Sequence, residues 1–460
     1  MAAVFSVRNK KDFDQGFLLR LILTSGACLC FAVFFILGPM EIFSSYPMGN
    51  SICILLVSVA LIAFSSLFFS RFIKLKSHII FASCLAVCAA ALALRLYFFN
   101  EASGDYNNFL SVWLSKMRAL SGTAPITTPI GDYNMPYLYF LYAVSRAELY
   151  DLYLIKLLSV IFDFVLAMGV CALTNHFCKS ETISLVSFLL SLFVPTVFLN
   201  SAMWGQCDGI YAALLIWALY FALTDKPRTS VVFFALSFSF KMQAIFMLPV
   251  IIFLVLRNKI RIRHLAAFPL TFVLTLLPAI LCGRSIYDSF SIYIDQTSSY
   301  PELTLNCPTL WALFPENGFN TFGTAALFLA GAGVLVFCIY LYQNRQKLSD
   351  ALLFDAAYLF TLIIPFLLPR MHERYFYLAE ILAVVYILLH RNRLYAPLIV
   401  VFTGFSCYCA YLFGYRIFSL SELALLNGGS ILYLFKKFTD DVSAEKVISP
   451  IKATETEESL

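Results

Sequence analysis

The strongest constraint on this chain is a succession of apolar runs, each long enough to cross a bilayer as a helix and separated from the next by a polar segment. About 20 consecutive apolar residues suffice for one crossing, and runs near 17–38, 51–72 and 78–98 open the series. In hydrocarbon every backbone N–H and C=O needs an internal partner, which a helix supplies by itself. Composition agrees: 61% of the 460 residues are hydrophobic and 13% are charged, against about 25% charged in a soluble domain. The expected fold class is all-α, a polytopic transmembrane helical bundle with about 12–14 membrane helices.

Charge in the short loops gives the run order a direction. Arg8, Lys10 and Lys11 precede the first run, and Arg71, Lys74 and Lys76 separate the second from the third, whereas 39–50 has no Lys or Arg. The positive-inside rule puts the basic segments in the cytoplasm and 39–50 outside. The first run lacks a small-residue cleavage site and reads as a signal anchor. The net charge of +5 is absorbed by these loops, so it reports topology and not a nucleic-acid partner. Residues 99–149 are then external, and spans near 152–174, 182–202 and 209–223 follow. Both flanks of 229–256 are basic, with Lys226 and Arg228 before it and Arg257, Lys259, Arg261 and Arg263 after it. A single span cannot begin and end on one side, so this stretch is expected to be a hairpin of two short helices with Lys241-Met242-Gln243 at its far end.

Further spans near 264–282, 321–342, 350–368, 375–390, 394–414 and 418–435 leave 283–320 and the Arg370–Tyr377 cluster external. Four regions follow: N-terminal helices 1–98, a large external loop 99–149, a membrane core 150–436 and a disordered cytoplasmic tail 437–460. With no retention signal at the C-terminus, a plasma membrane is expected, both termini cytoplasmic. The thirteen cysteines sit mostly inside apolar runs without a CxxC pair, which reads as packing; Cys207 and Cys307, in loops on one side, are the candidate disulfide.

The polar motifs share that external side. Of the five histidines only His372 falls there. Arg370, His372 and Arg374 suit an anionic phosphate, since arginine gives bidentate hydrogen bonds and histidine a further donor, with Glu373 orienting one of them. Lys241 and Gln243 at a hairpin apex need an anionic partner, either a phosphate or Asp163 deep in the fourth span. Asp105, just past the end of its span, suits a general base, and equally an N-cap for a helix starting at Tyr106. Asp132 in Gly-Asp-Tyr-Asn reads as turn chemistry, Trp204 as an interfacial aromatic and Asp208 as a helix cap. No metal-ligand cluster emerges from the spacing.

The order GDYNNFLSVW, GDYNMPYLYF, MWGQCDGIY, SFKMQAIFMLP and RMHERYFYL resembles the GT-C superfamily of polyprenyl-phosphate-sugar-dependent glycosyltransferases. It is similar above all to bacterial membrane proteins related to the second mannosyltransferase of GPI-anchor synthesis, over about residues 95–390. The resemblance implies a catalytic base at Asp105, a donor site lined by Lys241, Gln243, Arg370, His372 and Arg374, and supporting roles for Glu373, Asp132, Trp204, Gln206 and Asp208. It implies an inverting transfer of a hexose, mannose first, from a polyprenyl-phosphate sugar to a glycan, lipid or protein acceptor among membrane lipids, with the lipid-linked sugar as substrate and no cofactor. Two spans precede the catalytic loop beyond the family's simplest pattern. The competing readings are a transporter or flippase of lipid-linked glycans, with Asp163, Lys241 and Glu380 along a path, and a ligase or polymerase, for which 283–320 is a modest external loop.

Overall fold

The computed structural model describes residues 10–43, 46–296 and 301–445. The chain opens with α1 (Lys10–Leu37), α2 (Met48–Leu67, prolonged by a π-helical turn to Ile73) and α3 (His78–Tyr97). Segment 99–149, expected as a loop, folds into α4 (Ser111–Ala119) and α5 (Met135–Arg146). α6 (Asp151–Cys178) and α7 (Glu181–Phe193) follow, then α8 (Asp208–Leu223), α9 (Pro227–Phe240), α10 (Leu248–Leu256), α11 (Ala267–Leu281) and α12 (Ile286–Asp295). The last third holds α13 (Phe319–Gln343), α14 (Asp350–Leu367), α15 (Tyr377–Leu389), α16 (Tyr395–Phe413) and α17 (Leu420–Ala444). Serine hydroxyls accept from the first turn of α3, α7, α12, α14 and α17 through Ser77, Ser180, Ser285, Ser349 and Ser419, which marks those starts in the sequence.

Among the described residues, eight helices are long and apolar enough to cross a membrane; α7 with Pro195–Trp204, bent by 50°, makes a ninth if counted as one span. The straight crossing expected over 182–202 is broken where Pro195 starts a new helical segment. The expected 12–14 is approached only by adding shorter apolar helices such as α8, Met242–Leu256 and α15. α8 and α15 are almost wholly buried by protein, so they need not match the bilayer thickness on their own. The final helix continues to Ala444, so the first residues assigned to a disordered tail are helical; Glu455–Leu460 lie outside the described residues.

The central core joins α6, α8, α14 and α15, and α1–α3 form a second cluster against α6 and α7. Arg95 Nε meets Asp163 at 2.8 Å, both side chains fully buried, and Ser201 donates to the same carboxylate at 2.5 Å. This pair ties α3 to α6, so of the two partners considered for Lys241, Asp163 is ruled out. Cys207 and Cys307 are free thiols packed in different apolar clusters, so the candidate disulfide does not form.

The bundle has two polar ends. At one, Lys259 bridges Asp225 at 3.8 Å and Asp350 at 3.2 Å, and Arg393 pairs with Asp441. Asp225 precedes α9 and Lys259 follows α10, so the two arms of 227–256 start and finish at one face with Lys241 at their far end. The arms splay: α9 packs on α8 and α11, α10 on α14 and α13.

Candidate active site

Asp105 lies at the opposite end. Its backbone is helical (φ −64°, ψ −39°) and its side chain makes no cap bond; Ser103 Oγ accepts from Tyr106 N at 3.2 Å instead. The cap expected at Asp105 is therefore supplied by Ser103, which leaves the Asp105 carboxylate for other work. Oδ2 accepts from Trp204 Nε1 at 3.0 Å, Gln206 Nε2 at 2.5 Å and Arg374 Nη1 at 3.3 Å, and Oδ1 accepts from the Tyr411 hydroxyl. A carboxylate so held has a defined orientation and only part of its lone-pair capacity left.

The Trp-Gly-Gln-Cys-Asp stretch makes this possible through its backbone. A π-helical turn, Leu199–Trp204, ends at Gly205 with φ +76°, a left-handed conformation that glycine adopts without a Cβ penalty. The reversal lets Gln206 N bond Asn200 O at 2.9 Å and turns both Trp204 and Gln206 toward Asp105. Trp204 is 1% exposed, stacked on Tyr411 with centroids 4.4 Å apart and with Arg374 5.4 Å over its ring. It is a packed support and not the interfacial aromatic expected. Gln206 Oε1 accepts from Tyr133 OH at 3.1 Å, which fixes the amide so that Nε2 faces Asp105.

Asp208 does not cap its helix. It is fully buried and pairs with Lys241, with Asn200 Nδ2 at 3.0 Å and with Arg374 Nε at 3.8 Å. Lys241 arrives there because α9 stops at Phe240 and the lysine backbone extends (φ −153°, ψ 129°) before a 3₁₀ turn, Met242–Met247. Buried charge is tolerated when paired and hydrogen-bonded, and Asp208 is the counter-charge that lets two cations sit in one low-dielectric wall.

The segment after α14 is shaped by a small parallel pairing of β1 (Thr304–Leu305) with β2 (Met371–His372). Arg370, at φ +63°, donates its N–H to Leu303 O at 3.1 Å, and its guanidinium stacks 4.6 Å over Phe319. Burial, reinforced by Arg374 and Lys241, lowers the His372 pKa to about 3, and burial raises that of Glu373 to about 7. At neutral pH His372 is an uncharged imidazole, so it offers hydrogen bonding and no positive charge.

These elements surround one cavity of about 550 Å³. Asp105, Asp132, Lys241, Gln243, Arg370, His372, Glu373 and Arg374 line it, while Trp204, Gln206 and Asp208 stand behind the wall and hold its charged groups. Asp132, at an exposed turn after Gly131 (φ +74°), contributes its carbonyl to Gln296 as well as its carboxylate to the rim. Tyr411, Tyr133, Asn200 and Gln296 are partners that the sequence reading passed over. Tyr411 and Asn200 sit within apolar helical turns, where the only available signal is a polar group facing inward. Among the described residues, Asp355, His390 and Asp441 have metal-ligand spacing, but they lie at the other end, where Arg393 engages Asp441 with two hydrogen bonds.

A model of glycosyltransferase family 87 covers residues 136–369, just over half of the chain. Trp204, Gln206, Asp208, Lys241 and Gln243 fall within that stretch; Asp105, Asp132, Arg370, His372, Glu373, Arg374 and Tyr411 lie outside it. No curated protein matches.

Proposed function

From the premise that the chain belongs to glycosyltransferase family 87 and is a multi-pass membrane glycosyltransferase, we propose that it moves a hexose, mannose first, from a polyprenyl-phosphate donor to an acceptor hydroxyl at the external face. The observation that carries this is one oriented carboxylate, Asp105, facing a cavity whose other walls hold Lys241, Arg370 and Arg374. Asp105 takes the acceptor proton at the second lone pair of Oδ1, beside the Tyr411 hydroxyl. The acceptor oxygen attacks the anomeric carbon as the bond to the phosphate oxygen breaks, so the configuration inverts. Polyprenyl phosphate leaves with its charge met by Arg374, Arg370 and Lys241 in a site where such pairing is worth more than in water. Neutral His372 and Gln243 offer the phosphate hydrogen bonds. The lipid-linked sugar is a substrate, and the reading draws on no cofactor. The acceptor is a hydroxyl of a glycan, lipid or protein.

The external assignment rests on the basic loops, which gather at the end away from the cavity. A transporter reading draws no support from Asp163 and Lys241, since each is neutralised locally by Arg95 or Asp208. The test is label transfer by purified protein in lipid, from a panel of radiolabelled polyprenyl-phosphate sugars to a membrane-extract acceptor. Transfer from one donor is expected, and Asp105→Asn should cut kcat by about 10²–10⁴, the usual contribution of a general base, while donor still binds. Transfer from none of the donors, or an Asn variant as active as wild type, would sink the assignment.

A further inference from the structure

A second cavity, of about 380 Å³, adjoins the first and shares Asp132 and Gln296 with it. Residues 129–132 form one side and Arg284 with the inner face of α12 the other. Its volume lies within the about 300–1,000 Å³ typical of small-ligand sites. The charge balance differs between the two. The first cavity sets Lys241, Arg370 and Arg374 against the carboxylates of Asp105, Asp132 and Glu373; the second sets the carboxylates of Asp132, Asp288 and Asp295 against the single cation Arg284. A phosphate finds three cations to pair with in the first and an excess of negative charge in the second. Sugar hydroxyls, by contrast, donate well to carboxylates, and the Tyr287 ring offers an apolar face with a polar tip.

Arg284 is the most telling group. It is 4% exposed, and Nη1 donates to Ile126 O at 3.0 Å and Thr128 O at 3.4 Å, which holds that segment against the start of α12. Its Nε is buried without a hydrogen-bond partner. A buried N–H left unmatched costs free energy, so the guanidinium is held here by its Nη1 bonds to the 126–128 segment and by the neighbouring acidic groups. The two cavities are also mechanically joined. Gln296 Nε2 donates to Asp132 O and, at 2.9 Å, to Asn134 Oδ1; Tyr133 between them reaches Gln206, which in turn orients Asp105.

We propose that the second cavity is the acceptor subsite and takes a hydroxyl-rich, non-anionic sugar terminus, whose reacting hydroxyl passes Asp132 and Gln296 to reach Asp105. The proposal rests on the glycosyltransferase reading above. Saturation-transfer NMR on the detergent-solubilised full chain, with methyl mannoside, methyl glucoside and mannose 6-phosphate as probes, tests it alongside radiolabelled donor binding. The neutral glycosides should bind and the phosphate should not. Asp288→Ala should weaken glycoside binding at least tenfold and Asp288→Asn, which keeps an acceptor oxygen, by less than threefold, with donor affinity within twofold in both. Equal binding of mannose 6-phosphate, or glycoside affinity indifferent to Asp288→Ala, would overturn the subsite. So would a parallel loss of donor affinity, which would assign the cavity to the donor. Glycoside binding that depends on Asp288 in a protein that transfers no sugar from any donor would keep a sugar site and overturn its acceptor role.

Discussion

At the scale of single residues, the candidate site depends on buried charges that answer one another. Lys241, Asp208 and Arg374 form a chain in which Asp208 faces two cations. Lys241→Met should therefore destabilise the protein by about 3 kcal/mol, the order found when one partner of a buried pair is removed; Lys241→Met with Asp208→Asn should recover part of it. Thermal unfolding in detergent measures both, and a neutral single variant would show that Asp208 is solvated. Tyr411 acts on the substrate only through Asp105 and is a positioning residue: Tyr411→Phe should lower kcat about tenfold and leave donor KM unchanged, as expected for the loss of one hydrogen bond to a charged group. Glu373 and His372 set the pH response. Because the folded-state pKa of Glu373 is raised from 4.5 to about 7, its contribution to stability falls as pH rises through that window. For His372, lowered from 6.5 to about 3, stability falls as pH drops through its window. Glu373→Gln should remove the loss of stability as pH rises from 4.5 to about 7 and leave in place the loss that His372 causes as pH falls below 6.5; an unchanged curve would remove Glu373 as its cause.

At the scale of elements, the site is made by interruptions. The π-helical turn before Gly205, the stop of α9 at Phe240 and the β1–β2 pairing each bring backbone to an abrupt turn beside the cavity, where protein packing rather than lipid surrounds it. Gly205→Ala has room for its methyl, since the nearest atom, Ile155 Cγ2, is 3.6 Å away, so its cost is conformational, about 1–2 kcal/mol. Loss of transfer should exceed that loss of stability, because Trp204 and Gln206 would swing from Asp105. Gly404 on α16 is a steric case: a Cβ there would collide with the Glu380 carboxylate on α15. Gly404→Ala should cost about 1–3 kcal/mol by overpacking without altering donor KM. An unaltered unfolding temperature would mean that α15 and α16 separate freely.

At the scale of the whole molecule, the two polar ends make the topology testable. In a background with the exposed Cys30 and Cys282 changed to Ser, a cysteine at Gly122 and one at Asp225 should label from opposite faces of a sealed vesicle. Labelling of both from one face would break the sidedness on which the external assignment depends. Much of this arrangement was legible in the chain itself. Apolar run lengths, basic loops and the even parity of 229–256 are local or additive properties, so they determined helical class, span order, the hairpin and the common end shared by Asp105, Lys241 and His372. What tertiary structure alone decided is which polar group answers which. Asp163 takes Arg95 rather than Lys241, Ser103 caps where Asp105 was expected to, Cys207 and Cys307 stay apart, and Tyr411 reaches Asp105 from a helix 306 positions later. Pairing of buried charges is settled by distance and desolvation in three dimensions, and a one-dimensional pattern carries neither.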